Sequence, residues 1–293
     1  MAEARTLDGA WLRQHPLPQP HEESDKNARG RVLVVGGCTM VPGGVRLTAE
    51  AALRAGAGKV RIATVETTAI MIGIVMPEVA VLPLAPDPKG EIDATRTSLE
   101  REVDKSDCLV LGPAMSCAEQ ASALVGRLMQ AVDETPLVLD AAALMAICDH
   151  AGRLRERRLP AVLTPHIGEI SALLGDDAGA IEQDRAAAVR RCAERFGSVV
   201  VLKGAVSLVA APTGELFSYS GGNVGLATGG SGDVMAGIAA ALLARGAAPL
   251  QAALWSVWLH GEAGRRCAEA IGPLGYLASE LLGFIPRVME RAA

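Results

Sequence analysis

The segment Arg31-Val-Leu-Val-Val is apolar and stops at Gly36-Gly37, the pattern of a buried strand running into a tight turn. Val45 to Arg54 reads as a helix ended near Gly56, and Lys59 to Thr64 reads as a second strand, so the opening is a βαβ unit. Further apolar runs predict strands at Cys108–Leu111, Leu137–Leu139, Ala161–Leu163 and Val199–Leu202, with helical segments near 117–132, 167–174 and 181–196. This alternation predicts an α/β fold, a doubly wound, mostly parallel sheet flanked by helices. Val206–Ala210 and Glu215–Tyr219 flank Pro212-Thr-Gly, which predicts an antiparallel hairpin at one edge. Two helices should follow, Asp233–Ala244 and Pro249–Ala270, with a short terminal helix in the tail after Leu274. Residues 1–28 contain several prolines and no sustained periodicity, so they are expected to be an irregular extension ahead of a single domain over 29–293.

Composition narrows this picture. At 293 residues the chain can form one large α/β domain, and with aromatic residues at only 3% its core must be Ala, Val, Leu and Ile. The net charge of −5 and the lack of a basic block beyond Arg153–Arg158 argue against nucleic-acid binding. Six cysteines at 38, 108, 117, 148, 192 and 267 show no C-x-x-C pair, and read as reduced thiols in a cytoplasm. The N-terminus lacks an apolar signal core, and the longest apolar stretch, Val234–Ala244, is too short to span a bilayer. No membrane partner is expected, and the Ala-rich helices suit a homo-oligomer.

Ligands of such sheets gather outside the carboxyl ends of the strands. The turns there are Gly36-Gly37, Gly112-Pro113, Asp140, Thr164-Pro-His166, Lys203-Gly204 and Gly229 to Asp233. In Thr228-Gly-Gly-Ser-Gly-Asp233, small residues precede a helix whose free amides would form an anion hole. Glycines let a backbone approach a phosphate, and Asp233 could take a proton from a hydroxyl attacking phosphorus. Asp is also a favoured helix cap, although a cap needs no run of small residues ahead of it. Neither the P-loop pattern nor the dinucleotide fingerprint is present.

Leu163-Thr-Pro-His-Ile-Gly-Glu169 enters a helix with Thr164 available as its cap and with His166 and Glu169 in the first turn. His166 is either part of a site or only part of a helix start. Lys203 ends a buried strand, where its ammonium must meet a carboxylate or a phosphate. Asp140 ends another, and would either hold a magnesium-bound water or cap the next helix.

Taken together, these residues resemble the ADP- or ATP-dependent NAD(P)H-hydrate dehydratases, relatives of ribokinase-like small-molecule kinases. The likeness runs from about Arg31 to Ala270 through Val34-Val-Gly-Gly37, Ala51-Ala-Leu-Arg-Ala-Gly-Ala-Gly58, Leu111-Gly-Pro113, Val138-Leu-Asp140, Leu163–Glu169, Leu202-Lys-Gly204 and Ala227–Asp233. The resemblance implies a ribokinase-like fold and repair of hydrated NADH or NADPH, with Asp233 activating the ring hydroxyl and phosphate leaving. It implies hydrate contacts at Gly44, the Gly112–Ala114 turn, His166 and Asp233. It implies nucleotide contacts at Lys203, Gly204, Ala205, Val206, Ser207, Gly229, Gly230, Ser231 and Gly232, with Mg²⁺ as cofactor and ADP or ATP as co-substrate. A functional link to an epimerase on a separate chain is also implied.

The chain departs from the family's pattern at three places. Gly43-Gly-Val45 stands for Gly-Ala-Pro, Ala114 for a third glycine, and Ala142 for the second acid of Asp-Ala-Asp-Ala-Leu. The rival readings are a kinase of the hydroxymethylpyrimidine or thiazole type, and a nucleotide-binding module weakened in catalysis.

Overall fold

The computed structural model describes residues 4–292 except 22, 24, 131 and 133. Its strands are β1 (Arg5–Thr6), β2 (Arg31–Val35), β3 (Lys59–Val65), β4 (Ala80–Leu84) and β5 (Cys108–Leu111). They continue with β6 (Leu137–Leu139), β7 (Val162–Leu163), β8 (Val199–Leu202), β9 (Ser207–Ala210) and β10 (Leu216–Tyr219). The first helices are α1 (Gly9–Gln14), α2 (Gly44–Arg54), α3 (Glu66–Val75), α4 (Glu100–Asp104), α5 (Ala118–Leu128), α6 (Ala142–Ala146) and α7 (Ala151–Glu156). The rest are α8 (Ile167–Leu174), α9 (Ala178–Gln183), α10 (Arg185–Phe196), α11 (Ser231–Ala244), α12 (Pro249–Ala270), α13 (Ala278–Leu281) and α14 (Ile285–Ala292).

One sheet runs in the order β1-β10-β9-β8-β7-β6-β5-β2-β3-β4. From β4 across to β8 every pairing is parallel, while β9 is antiparallel to both β8 and β10. The Val- and Leu-rich strands are buried on both faces, as a sheet sandwiched by helices requires. Along β2, Val32 and Val34 face a layer built by α2, α11 and α12, while Leu33 and Val35 face α5, α6, α8 and α10. The chain moves outward from β2 to β4 and then returns to the other side of β2 through β5, which places the topological switch at the β2/β5 ends. There Gly37 N–H donates to Pro113 O at 2.8 Å, and a Cβ on Gly36 would collide with that same carbonyl.

The expected architecture is present, with differences at its margins. The extension expected to be irregular holds β1, parallel to β10 at the far edge of the sheet, and α1, capped where Asp8 accepts from Trp11 N at 2.8 Å. Leu12 of α1 is fully buried, Trp255 Nε1 donates to His15 O, and Arg245 donates to Pro18 O. A two-residue strand and a six-residue helix are too short to show a period. The hairpin is therefore flanked by one more strand instead of forming the outermost edge. The helix expected over 181–196 is two helices, because Asp184 caps a second start by accepting from Ala187 N. The helix expected over 117–132 is α5, ending at Leu128, and residue 131 lies outside the described residues. The unanticipated α3 and β4 are apolar with no helical or alternating pattern, and Pro83 is accommodated because β4 is an edge strand.

Two helices that bear on the site pack unusually close. A Cβ on Gly237 of α11 would collide with Thr48 O of α2 and lie 2.8 Å from the Ala51 Cβ. Replacing Gly237 by alanine is expected to lower stability by about 1–3 kcal/mol through overpacking, read as an earlier midpoint in urea unfolding.

Candidate active site

The carboxyl ends of β2, β5, β6, β7 and β8 and the start of α11 converge on one acidic cluster. Lys203 leaves fully buried β8, and its Nζ lies 3.1 Å from Asp140 Oδ1 at the end of β6. The same oxygen accepts from Thr164 Oγ1 at 2.6 Å at the end of β7, and Asp140 is only 4% exposed in its side chain. Lys203 also lies 3.9 Å from Glu169 Oε2 on α8. Burial opposes the Lys203 charge, but Asp140 and Glu169 outweigh it and hold its pKa above the ordinary value. Burial pushes Glu169 up, against the pull of Lys203.

His166 is the N-cap of α8, a role expected of Thr164. Its Nδ1 accepts from Gly168 N at 3.0 Å, while Glu169 Oε2 accepts from His166 N at 2.8 Å, a capping box with imidazole in the usual serine position. Thr164 turns inward because Asp140 and Leu139 O offer buried acceptors. His166 remains half-exposed with Nε2 3.5 Å from Glu169 Oε1, which links it to the cluster. The alternative of Asp140 as a helix cap is not realised: α6 has Ala141 as N-cap and no side-chain capping bond.

Asp233 is the third residue of α11, not its first, since the helix begins at Ser231 behind Gly230 in the left-handed region at φ 86°. No side chain caps this end, so the simple capping reading of Asp233 fails; Ser231 N donates to Thr228 O at 3.3 Å, which leaves the Gly232 and Asp233 amides for a ligand. Burial, reinforced by Asp140, pushes Asp233 up to about 7 against the pull of Lys203. A Cβ on Gly232 would lie 3.4 Å from Lys203 Nζ, and one on Gly44 would lie 2.5 Å from the Ala114 Cβ and 3.1 Å from Asp233 Oδ2. A Cβ on Gly112, at φ 111°, would run into Asp140 O. Gly44, Gly112, Ala114, Gly232 and Asp233 therefore lie close together beside Lys203 and Asp140. Gly204, Ala205 and Val206 lie exposed on the β8–β9 turn, and Ser207 Oγ donates to Gly204 O at 3.4 Å. Gly229 is exposed just ahead of Gly230.

Two polar residues not singled out in the sequence belong to this region. A Cβ on Gly204 would collide with the Arg185 guanidinium, which also donates to Lys203 O at 3.3 Å and has its Nε buried without a hydrogen-bond partner. His260 Nε2 lies 2.8 Å from Ser231 Oγ. A histidine within an otherwise apolar stretch of α12 was the available signal for the second; Arg185 sits in a run of helix arginines that hides it.

The sequence profile of the NAD(P)H-hydrate dehydratase family matches residues 32–287. The chain belongs to that family. An ADP-dependent (S)-NAD(P)H-hydrate dehydratase of Xanthomonas campestris is 45% identical over 290 residues, 98% of this chain and 96% of the relative. A bifunctional NAD(P)H-hydrate repair enzyme of Moorella thermoacetica is 38% identical over 98% of this chain, which spans only 54% of that relative. The crystal structure of the ADP/ATP-dependent NAD(P)H-hydrate dehydratase of Bacillus subtilis, grown with ATP and Mg²⁺, superposes with a TM-score of 0.84 at 27% identity, each chain covered in full. A hydroxyethylthiazole kinase of Pyrococcus horikoshii superposes at 0.64 with 22% identity, a likeness of fold.

Against the pattern of the dehydratase family, two of the departures now have a physical setting. Ala114, at a position where the resemblance leads one to expect glycine, has φ 55°, and with Ala141 at φ 49° it is one of two non-glycine residues at positive φ among the described residues. Such a conformation costs about 1–3 kcal/mol. Ala142 packs with Ala143 and Leu144 in the core, leaving Asp140 as the acid at this end of β6.

Lys203→Met leaves Asp140 buried without its ammonium, and is expected to cost about 3–5 kcal/mol in denaturant unfolding; adding Asp140→Asn should return part of it. Asp233 holds its proton to higher pH when folded than when unfolded, so ionising it costs stability. The wild type should therefore lose stability as pH rises from about 4 through about 7, by a few kcal/mol at most, relative to Asp233→Asn. Parallel thermal melts of the two proteins across that range, coinciding near pH 4, check the sign.

Proposed function

We propose that this chain dehydrates hydrated NADH or NADPH in a reaction driven by ADP or ATP. The observation that carries the reading is Asp233: a half-buried carboxyl with a raised pKa, set in the first turn of α11 beside Gly44. The 45% identical relative with the same named activity supports it.

In this reading the hydrate occupies the space bounded by Gly44, Gly112, Ala114, His166 and Asp233. The nucleotide lies along Lys203, Gly204, Ala205, Val206 and Ser207, with its phosphates at Gly229, Gly230, Ser231 and Gly232. Asp233 takes the proton of the ring hydroxyl as that oxygen attacks the terminal phosphorus, and the bond from phosphorus to the departing nucleotide breaks. The ring nitrogen's electron pair then expels phosphate, and loss of a proton from the adjacent ring carbon restores the double bond. Hydroxide is a poor leaving group and phosphate a good one, which is why the nucleotide is spent.

Lys203 faces Asp140, Glu169 and Asp233, so phosphates entering here would meet carboxylates as well as an ammonium. Charge balance thus favours a divalent cation entering with the nucleotide. No group of three His, Cys, Asp or Glu side chains suited to a metal occurs among the described residues, which fits Mg²⁺ held mainly by phosphates with Asp140 acting through water. Its chemistry there is to neutralise phosphate charge.

The reading extends to an epimerase as functional partner, to a cytoplasmic setting and to self-association. Six free cysteines support the reducing compartment. No helix among the described residues is long and apolar enough to cross a membrane. Exposed Ile70, Met71, Ile74 and Val75 on α3 form an apolar face beside the edge strand β4, which supports contact between copies.

The test incubates the protein with NADPH hydrate, Mg²⁺ and either ADP or ATP. Reduced-nicotinamide absorbance should recover with release of free phosphate; a stable phosphoester would indicate a kinase, and no recovery with either nucleotide would sink the proposal. Asp233→Asn should lower kcat by roughly 10²–10⁴-fold. In the wild type kcat/KM should rise with pH around a midpoint of about 7, as the base loses its proton.

A further inference from the structure

α12 is apolar for most of its buried length, and His260 interrupts it between Leu259 and Gly261. An imidazole has no packing advantage over leucine there, and enclosing its nitrogens costs stability unless they are bonded. Nε2 finds Oγ of Ser231 at 2.8 Å. Ser231 is itself buried and is the first residue of α11, next to Gly232, where a Cβ would lie 3.4 Å from Lys203 Nζ and 4.0 Å from Asp140 Oδ2. The pair therefore connects the middle of one long helix to the anion-binding end of another.

Burial, opposed by a hydrogen bond to the Ser231 backbone and assisted by the positive charge of Lys203, pushes the His260 pKa down to about 4, so the ring is neutral near pH 7 and bears a single N–H. Two hydrogen-bond polarities remain. If Ser231 donates to a bare Nε2, its oxygen presents only lone pairs to the site and repels phosphate oxygens. If Nε2–H donates to Oγ, the hydroxyl hydrogen is free to donate in turn, in the same sense as the uncapped amides beside it. A site that gathers donors around an acceptor-only anion favours the second arrangement.

We propose that His260 is a positioning residue whose Nε2–H donates to Ser231 Oγ and so aims the Ser231 hydroxyl at a nucleotide phosphate. The proposal rests on the nucleotide reading above and involves no covalent step. It assigns to α12 a part in nucleotide recognition that the glycine-rich segment alone does not contain.

Long-range ¹H–¹⁵N correlation on full-length protein labelled in histidine should give His260 as the Nε2-protonated tautomer; a bare Nε2 overturns the proposal. Calorimetric titration with Mg·ADP and with Mg·ATP reads the energetics without hydrate turnover, so failure of the dehydratase reading and failure of this one remain separate. Ser231→Ala and His260→Ala should each weaken binding about tenfold, and the double variant should be no weaker than either single. Fully additive losses would mean that His260 acts only through helix packing, against the proposal. His260→Gln, whose amide nitrogen reaches the place of Nε2, should recover most of the loss; a folded Gln variant that binds no better than alanine counts against it. Phosphoserine at 231 after incubation with Mg·ATP would reveal the opposite polarity and overturn the proposal.

Discussion

Lys203 leaves the end of a strand with no exposed residue, and its ammonium is received by carboxylates from two other elements, Asp140 at 3.1 Å and Glu169 at 3.9 Å. That contact orders the site. It gives buried Asp140 a charge partner, it brings the ends of β6 and β8 and the start of α8 together, and it sets the field in which Asp233 titrates. Burial, with the neighbouring Asp140 adding to it, raises Asp233 to about 7 against the pull of Lys203. Enclosure, more than charge, thus brings this carboxyl to titrate near neutral pH, as its proposed role requires.

The close approaches around the cluster follow from residues without side chains. Gly44 admits Ala114 and Asp233, Gly112 admits the Asp140 carbonyl, and Gly237 lets α11 lie against the backbone of α2. The last places the two helix starts, Gly44 and Ser231, on facing sides of the same space. Backbone proximity thus sets the distance between the two candidate ligand subsites.

The fold was legible wherever the apolar runs were long and bounded by glycine, as at Arg31–Gly37 and Val199–Lys203. The residues at strand ends were legible as candidates for the same reason, since a polar group straight after a buried strand needs a partner. Elements of two to six residues were not legible, because β1 and α1 are shorter than the period that would reveal them. The orientation of polar side chains was also hidden. Thr164, available as the helix cap, instead donates to a buried carboxylate across the strand ends and leaves the capping to His166; only the fold brings that acceptor into reach. His260 lies 29 residues from Ser231 along the chain, on a helix whose pattern reads as core.

The N-terminal strap has a consequence of its own. β1 pairs with β10, the outer strand of the hairpin, while the carbonyls of His15 and Pro18 are held by Trp255 on α12 and by Arg245 just after α11. One short segment thus staples the sheet edge to the two helices that supply Ser231 and His260. A chain relieved of that staple would present Leu216–Tyr219 as an open template for another strand, so the same residues that brace the site also guard the fold against edge-to-edge aggregation.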